Sequence, residues 1–542
     1  MRAGCMASPF IRFLLFVLVS VLTRVSLLWV TFIDLDESAH ILGSWTLLDG
    51  HVLYRDFVDN KPPLLYLAYA LPQLFFGRGM LVVRWFATLL VLPGTAYAAS
   101  AFFKHDRQGL VAGCLYLIYG AAFLGHDMLA VNCEVLALLP AAWAMVVARP
   151  AAHERPIGRD LAVGVLLGLA TLIKPQLLIW LTGVGFAILR GREAFGRRTL
   201  RLCVLGAGLV AVLALSWVYF AALGAGDDYV HWMWKHNLGY AANTISLGTA
   251  TQRAAIRLGP WVLVTAWLWW GTWASRADLS QPTRHRWNLL AAVVISTVPA
   301  IFVGERFFPH YFILLYWPLA VAASPALTRW LSFPLSRKGQ WLAGYTALML
   351  VGFSIANLGL YLDARSTPYE EIDPIYQQVG SWLRNDLCAR NEPAQKIGNS
   401  PEPAGGQATL FVWGYAPAFY YYSGMAPASR FIIPQASISG YLPGNPASFA
   451  GKLDGHAFIR SADRTLLLAD LKKNRTTYVL DTSPATIHYW QNFPIAGFLR
   501  LETYLRDGFD MVHNLRGVRI FRRRGCAEES GRPVALDLGA GG

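Results

Sequence analysis

Up to about residue 361 the chain alternates long apolar runs with short polar loops. Beyond that point it changes to the shorter hydrophobic alternations of a globular domain. The apolar runs fall at 10–33, 81–103, 109–125, 133–149, 161–173, 175–190, 200–223, 259–274, 287–303, 311–328 and 340–361. Several are shorter than the ~20 residues that cross a bilayer comfortably, but their number and purity predict a helical polytopic membrane protein with about 11 spans. The first run is too long for a signal-peptide core, contains Arg24 and lacks a small-x-small cleavage site, so it reads as an uncleaved helix. A further apolar segment, 62–76, carries Pro62, Pro63 and Pro72 and is short. It is expected to lie along the membrane surface or to dip in and out, not to cross.

Charge fixes the sidedness. With the N-terminus inside, the inner loops 104–108, 149–160, 190–201, 275–286 and 329–338 hold sixteen Lys and Arg; the outer loops 34–80, 126–132, 224–258 and 304–310 hold seven. Basic residues belong on the cytoplasmic side. A rival topology, with 161–190 as one crossing and 62–76 as another, moves five basic residues outside and ranks second.

After residue 361 an amphipathic helix is expected at 373–388, then strand 409–414, helix 415–422, strand 430–434, helix 463–474, strand 476–481 and strand 517–523. Strands alternating with helices predict a soluble α/β domain over 362–525, placed outside the cytoplasm, with an unstructured tail at 526–542. Cys388 and Cys526 fall in this part, where a disulfide and two free thiols both remain open. Cys114, Cys133 and Cys203 lie in apolar runs and read as small core residues.

Composition agrees. Only 15% of residues are charged and 55% are hydrophobic, with 20 tryptophans suited to membrane interfaces. The net charge of +14 is spread through short loops and not gathered on one face with stacking aromatics, which argues against nucleic acid. No P-loop, dinucleotide fingerprint, nucleophile elbow or zinc spacing occurs, so no nucleotide cofactor is expected.

Chemistry concentrates in the first outer loop, IDLDESAHILGSWTLLDGHVLYRDFVDNKPPLLY, residues 33–66. Asp36 and His40 are four apart and would share a helical face. Asp36 suits a general base for an acceptor hydroxyl or a ligand for a divalent cation. Asp36 and Glu37 equally suit a helix start, where acids favour the dipole. The loop 224–258 contains DDYVHWMWKHNLGY, whose Tyr229, Trp232, Trp234 and Tyr240 fit either stacking on sugar faces or an interfacial belt.

Taken in order, these motifs resemble a known family. The Asp36–Glu37 pair follows the first membrane helix; then come Gly50, Leu53, Tyr54 and Asp56 as G-x-x-L-Y-x-D, and Lys61-Pro62-Pro63. Arg84, LGLATLIKP ending at Lys174-Pro175, and RFFPHYF at 306–312 continue the series. Together they resemble the C-type glycosyltransferases, in particular the bacterial protein mannosyltransferase-like and aminoarabinose transferase-like (family 39-like) enzymes.

The resemblance implies a polyprenyl-phosphate sugar donor and a lipid, glycan or protein acceptor on the outer face of the cytoplasmic membrane, which in a Gram-negative cell faces the periplasm. It implies Asp36 and Glu37 as the catalytic acid and its neighbour. Lys61, Arg84, Lys174, Arg306 and His310 would attend the donor phosphate, where cations held in a partly dry site stabilise the leaving group. Tyr54, Asp56, His126, Asp127 and Trp232 are the candidates for contacting substrate. Asp127 falls where relatives place a second acid, and with Asp36 would form any metal site. The chain lacks a D-x-D, so a metal requirement stays open. The stretch WGYAPAFYY, 413–421, resembles segments of outer domains in the same family, where an acceptor-binding role and a structural one are both open. The competing functions are a transporter or flippase of lipid-linked glycans and a non-catalytic envelope assembly protein. A transporter predicts two matching halves with broken helices, which the sequence does not display.

Overall fold

The computed structural model describes residues 8–25, 28, 30–103, 106–121, 128–150, 156–242, 245–276, 281–332, 334–362, 368–386, 408–434, 436–450 and 455–526. His126, Asp127, Cys388 and positions 527–542 of the expected tail lie outside them. The chain divides into two compact units: residues 1–48, 52–54 and 59–367, and residues 49–51, 55–58 and 368–542.

The first unit is helical. Among its described residues four helices are long and apolar enough to cross a membrane: Met80–Ala101, Phe195–Ala222, Arg284–Glu305 and Pro309–Trp330. They play opposite parts. Pro309–Trp330 is buried nearly throughout and forms the centre of the unit. Phe195–Ala222 leaves Val210, Leu215, Trp217 and Val218 exposed, an apolar face suited to lipid. Other expected crossings are shorter or broken helices, such as Cys133–Ala148 with Pro140 inside and Gly158–Thr171 followed by a 3-10 turn at Pro175–Ile179.

Close approach sets one contact. A side chain at Gly164 would run into the carbonyl of Leu205, and one at Gly208 into that of Leu161, so helices Gly158–Thr171 and Phe195–Ala222 meet backbone to backbone. Arg201 secures the same pair, donating to Asp160 at 2.6 Å and to Glu193 at 2.6 Å with all three side chains buried.

Two short helices, Leu35–Leu48 and Pro63–Phe76, lie between Pro9–Arg24 and Met80. Leu35–Leu48 starts where Asp34 Oδ1 accepts from the Asp36 amide at 2.8 Å and where Asp36 and Glu37 occupy the first turn. Pro63–Phe76 has 14 residues, with Pro62 at its N-cap and Pro63 leading the first turn. A helix of that length rises about 21 Å, short of the ~30 Å hydrocarbon layer. It exposes Leu67, Leu71, Leu74, Phe75 and Phe76, while Tyr66, Tyr69 and Gln73 are buried. Gln73 joins the two helices, donating to Ser44 Oγ at 2.9 Å and accepting from Trp45 Nε1 at 2.9 Å.

The second unit carries a five-stranded sheet in the order β2-β1-β3-β5-β4. The strands are β1 (Thr409–Trp413), β2 (Ala426–Pro427), β3 (Tyr478–Asp481), β4 (Phe509–Leu515) and β5 (Val518–Arg523). β1 runs parallel to β2 and β3, and β5 runs antiparallel to β3 and β4. β1 and β3 are buried along their whole length, as strands covered on both faces must be. Asp386, just past helix Pro368–Asn385, accepts from Tyr478 Oη at 2.5 Å and from Arg522 Nη1 at 3.0 Å, tying that helix to β3 and β5.

One expected strand is absent. Residues 430–434 are irregular, because Asp470 takes the Arg430 amide at 3.2 Å and its guanidinium at 2.9 Å, and Pro434 ends the run. The edge is instead the two-residue β2, and β4 was not foreseen. Cys526 is disulfide-bonded.

Candidate active site

The segment between Pro9–Arg24 and Met80 brings a carboxylate to a lysine across 25 residues. Lys61 Nζ donates to Asp36 Oδ2 at 2.8 Å, each side chain about 25% exposed. Lys61 is held from behind. Tyr54, in a left-handed conformation (φ 70), donates through its hydroxyl to the Lys61 carbonyl at 2.8 Å, and its ring packs on Phe220 and Tyr229. The neighbouring Asn60 carbonyl accepts from Asn237 at 2.7 Å, and Asp59 accepts from Tyr66 Oη at 2.7 Å. The two prolines after Lys61 then fix the exit into Pro63–Phe76. Tyr54 is thus buried and engaged with backbone, and its expected contact with substrate has no open face in this arrangement.

A second lysine arrives from another element. The LGLATLIKP segment ends its helix just before Lys174, and the Leu172 carbonyl accepts from the Leu64 amide at 3.0 Å, which ties the segment to the first loop. Lys174 Nζ meets Glu134 Oε1 at 2.6 Å and lies 4.6 Å from the centre of the Tyr311 ring. His310, one residue before Tyr311, stacks on Phe308 and lies within the electrostatic reach of Asp36. Arg306 is fully buried in the same loop, where Glu305 and Phe307 take positive φ (55 and 48).

His40 completes the group. It is fully buried, its ring edges meet Tyr66 and Tyr69, and neither ring nitrogen has a hydrogen-bond partner among the described residues. Burial, seconded by the charges of Lys61, Lys174 and His310 and opposed by Asp36, pushes its pKa down from 6.5 to about 3. Burial alone would raise the Asp36 carboxyl. The Lys61 ammonium, by its charge and its hydrogen bond, outweighs it and holds Asp36 below the usual carboxylate range, so it is ionised at neutral pH.

The His40 shift predicts a pH dependence. Unfolded chain takes a proton on this histidine below about 6.5 while folded chain does not, so stability is complete above that pH and falls as pH drops toward 3. Melting temperature in detergent is expected to decline from neutral pH to about pH 4.5, and His40→Gln to flatten that decline. An unchanged slope in the variant would contradict a neutral, buried His40.

Glu37 and Arg84 form a separate, closed pair. Arg84 Nη2 donates to Glu37 Oε2 at 2.7 Å, with side-chain exposures of 3% and 0%. Glu37 also accepts from the amides of Ile33 at 2.8 Å and Val131 at 2.9 Å, and Arg84 donates to the Thr31 carbonyl at 3.0 Å. The pair locks the loop beside Asp36 and leaves little of either side chain for substrate. Asp56 belongs to the second unit and pairs with Arg55 at 2.9 Å. Trp232 is buried in a π-helical turn, Val230–His236, between the rings of His231 and His236.

Among the described residues no three His, Cys, Asp or Glu side chains gather as a metal site. Asp36 is engaged by Lys61, and Asp127 lies outside the described residues. Neither Glu134 beside Lys174 nor the Tyr311 ring beneath it is marked as a partner by local spacing, although the motif RFFPHYF contains that tyrosine.

Sequence comparison finds no matching family model and no matching curated protein. Structural comparison does find similar folds. ArnT from Cupriavidus metallidurans bound to undecaprenyl phosphate is 15% identical over 94% of this chain and 97% of its own, with a TM-score of 0.58. The apo form of ArnT gives the same coverage and identity with a TM-score of 0.57. The Archaeoglobus fulgidus oligosaccharyltransferase AglB, in complex with an inhibitory peptide and a dolichol-phosphate, is 14% identical over 97% of this chain and 75% of its own, with a TM-score of 0.48. The chain is therefore a multi-pass membrane protein that shares the fold of ArnT.

Proposed function

We propose that this protein transfers a sugar from a polyprenyl-phosphate donor to a lipid, glycan or protein acceptor on the outer face of the cytoplasmic membrane. The observation that carries this reading is the Asp36–Lys61 pair, set in the field of Lys174, His310 and a neutral His40. A carboxylate and an ammonium side by side are what an attacking hydroxyl and a phosphate leaving group together require. The neighbouring fold that binds undecaprenyl phosphate supports the choice of donor class.

The pair also suggests how the site is switched on. Before donor binds, Lys61 neutralises Asp36 and depresses its basicity. A donor phosphate draws Lys61 toward itself, and the carboxylate, released in a partly desolvated pocket, regains proton affinity. Asp36 then takes the proton of an acceptor hydroxyl as its oxygen attacks the anomeric carbon. The bond from that carbon to the phosphate oxygen breaks, and the electron pair leaves with the polyprenyl phosphate, held by Lys61 with Lys174 nearby. Glu37 and Arg84 act as positioning residues, keeping the loop in register. No step runs through a metal.

Removing the ammonium at position 61 isolates the donor side. Lys61→Ala is expected to weaken binding of undecaprenyl phosphate about 10- to 100-fold, the worth of one charge-assisted hydrogen bond. Lys61→Arg should restore part of it. Equal affinity in Lys61→Ala and wild type, measured by calorimetry in detergent, would remove Lys61 from the donor site and with it this reading.

A further inference from the structure

The second unit contains a cleft that the transfer chemistry does not use. It holds about 210 Å³ and is lined by Trp413 and Phe493 together with Ser439, His456, Arg464 and Asn492. Pockets for drug-sized ligands run to ~300–1,000 Å³, so this one suits a single small ring. We propose that it is a saccharide-binding site that takes one pyranose of a glycan. Naming that glycan as the acceptor rests on the transfer reading above; the site itself does not.

The chemistry of the walls selects a sugar. A pyranose has an apolar C–H face for an aromatic ring and an edge of hydroxyls that need both donors and acceptors. Phe493 provides the first, backed by the buried Trp413, and the imidazole, amide, hydroxyl and guanidinium provide the second. No carboxylate stands among the described lining residues, which favours a neutral or anionic pyranose over an amino sugar.

The cleft is built at some cost to local backbone. Thr486, His488 and Tyr489 all take positive φ (58, 51 and 64), a conformation that bulky residues avoid and that clusters at ligand clamps. Trp490 holds them there, buried against Tyr441 and Phe493 with ring centres 5.0 and 5.5 Å away. The strained run leads directly into the wall residues Asn492 and Phe493, and the Phe493 carbonyl accepts from Trp413 Nε1 at 2.8 Å.

The opposite wall needs two glycines. A Cβ on Gly440 would meet the Gly455 backbone at 2.9 Å, and one on Gly455 the Gly440 carbonyl at 2.8 Å. Arg464 bridges the walls, donating to the carbonyls of Ile438 at 2.8 Å and Gly497 at 3.5 Å, 4.4 Å above the Phe498 ring.

The test uses the purified full chain in detergent. Saturation-transfer NMR is run with methyl β-glucoside, methyl α-mannoside, N-acetylglucosamine and glucuronate, and with a Gly-Ser-Thr tripeptide as the non-sugar probe. His456 and Asn492 are exposed, so their replacement spares the core. At least one pyranoside is expected to bind saturably, and the double variant His456→Ala, Asn492→Ala to weaken it about tenfold. That variant should raise the acceptor KM while leaving Asp36-dependent consumption of donor by water unchanged. Asp36→Asn should do the reverse, which separates failure of the pocket from failure of the transfer reading. Binding of no pyranoside, binding unchanged in the double variant, or binding of the tripeptide alone would overturn the proposal.

Discussion

Replacing Asp36 with Asn is expected to lower the rate of sugar transfer by about 10²- to 10⁴-fold, the usual worth of a positioned general base. Asparagine keeps the shape of the side chain and loses only its charge and basicity. The fold should survive, because the partly exposed pair with Lys61 is worth ~1 kcal/mol or less. Donor binding should be retained or improved, since Lys61 no longer divides its charge between a carboxylate and a phosphate. Single-turnover kinetics with saturating donor separates these effects. Transfer at the wild-type rate in a folded Asp36→Asn protein would place the proton acceptor elsewhere.

Glu37, one residue along, is expected to fail differently. Glu37→Ala strands the Arg84 guanidinium and the amides of Ile33 and Val131 in a buried site. Breaking one side of a buried ion pair costs about 3–5 kcal/mol, enough to remove most folded protein from a marginally stable chain. Replacing both partners with apolar residues of similar size, Glu37→Met with Arg84→Met, should recover much of that loss, because no uncompensated charge remains. Melting temperature and monodisperse yield report the outcome. A Glu37→Ala protein as stable as wild type, with transfer abolished, would instead make Glu37 part of the chemistry. These two outcomes would separate the adjacent acids into one that acts on substrate and one that holds the loop.

The sequence displayed much of this arrangement, and its gaps have physical causes. The four-residue spacing of Asp36 and His40 lies within one helical turn, so local periodicity alone placed both on one face. Three prolines and a short apolar run marked 62–76 as a helix too short to cross, and Pro63–Phe76 has that length and an exposed apolar face. Strands 409–414, 476–481 and 517–523 were visible as compact apolar runs, as was the helix at 463–474.

The misses are of two kinds. Residues 430–434 read as a strand because they are mostly apolar, yet the Arg430 amide goes to an aspartate 40 positions away and the Phe431 amide to the Ser429 hydroxyl. β4, FDMVHNL, went unseen because an edge strand with Asp510 and Met511 facing solvent has no clean hydrophobic signature. The site partners were hidden for the same long-range reason. Nothing near Glu37 specifies the Val131 amide, and nothing near Lys174 specifies Glu134. Span counting is blurred likewise, since helices interrupted by Pro140, by the π-turn at Ala87–Val91 or by the break at Lys174 carry weaker signals than straight ones.

As proposed, Asp36 and the cations around it hand a sugar from a lipid phosphate to an acceptor in the cell envelope. Mass spectrometry of envelope lipids and glycans tests it most directly, comparing cells with the wild-type gene, with no gene and with an Asp36→Asn gene expressed at equal level. A mass increment of one sugar on one acceptor class is expected in the first and in neither of the others. The same increment in the Asp36→Asn cells, or no difference among the three, would contradict it.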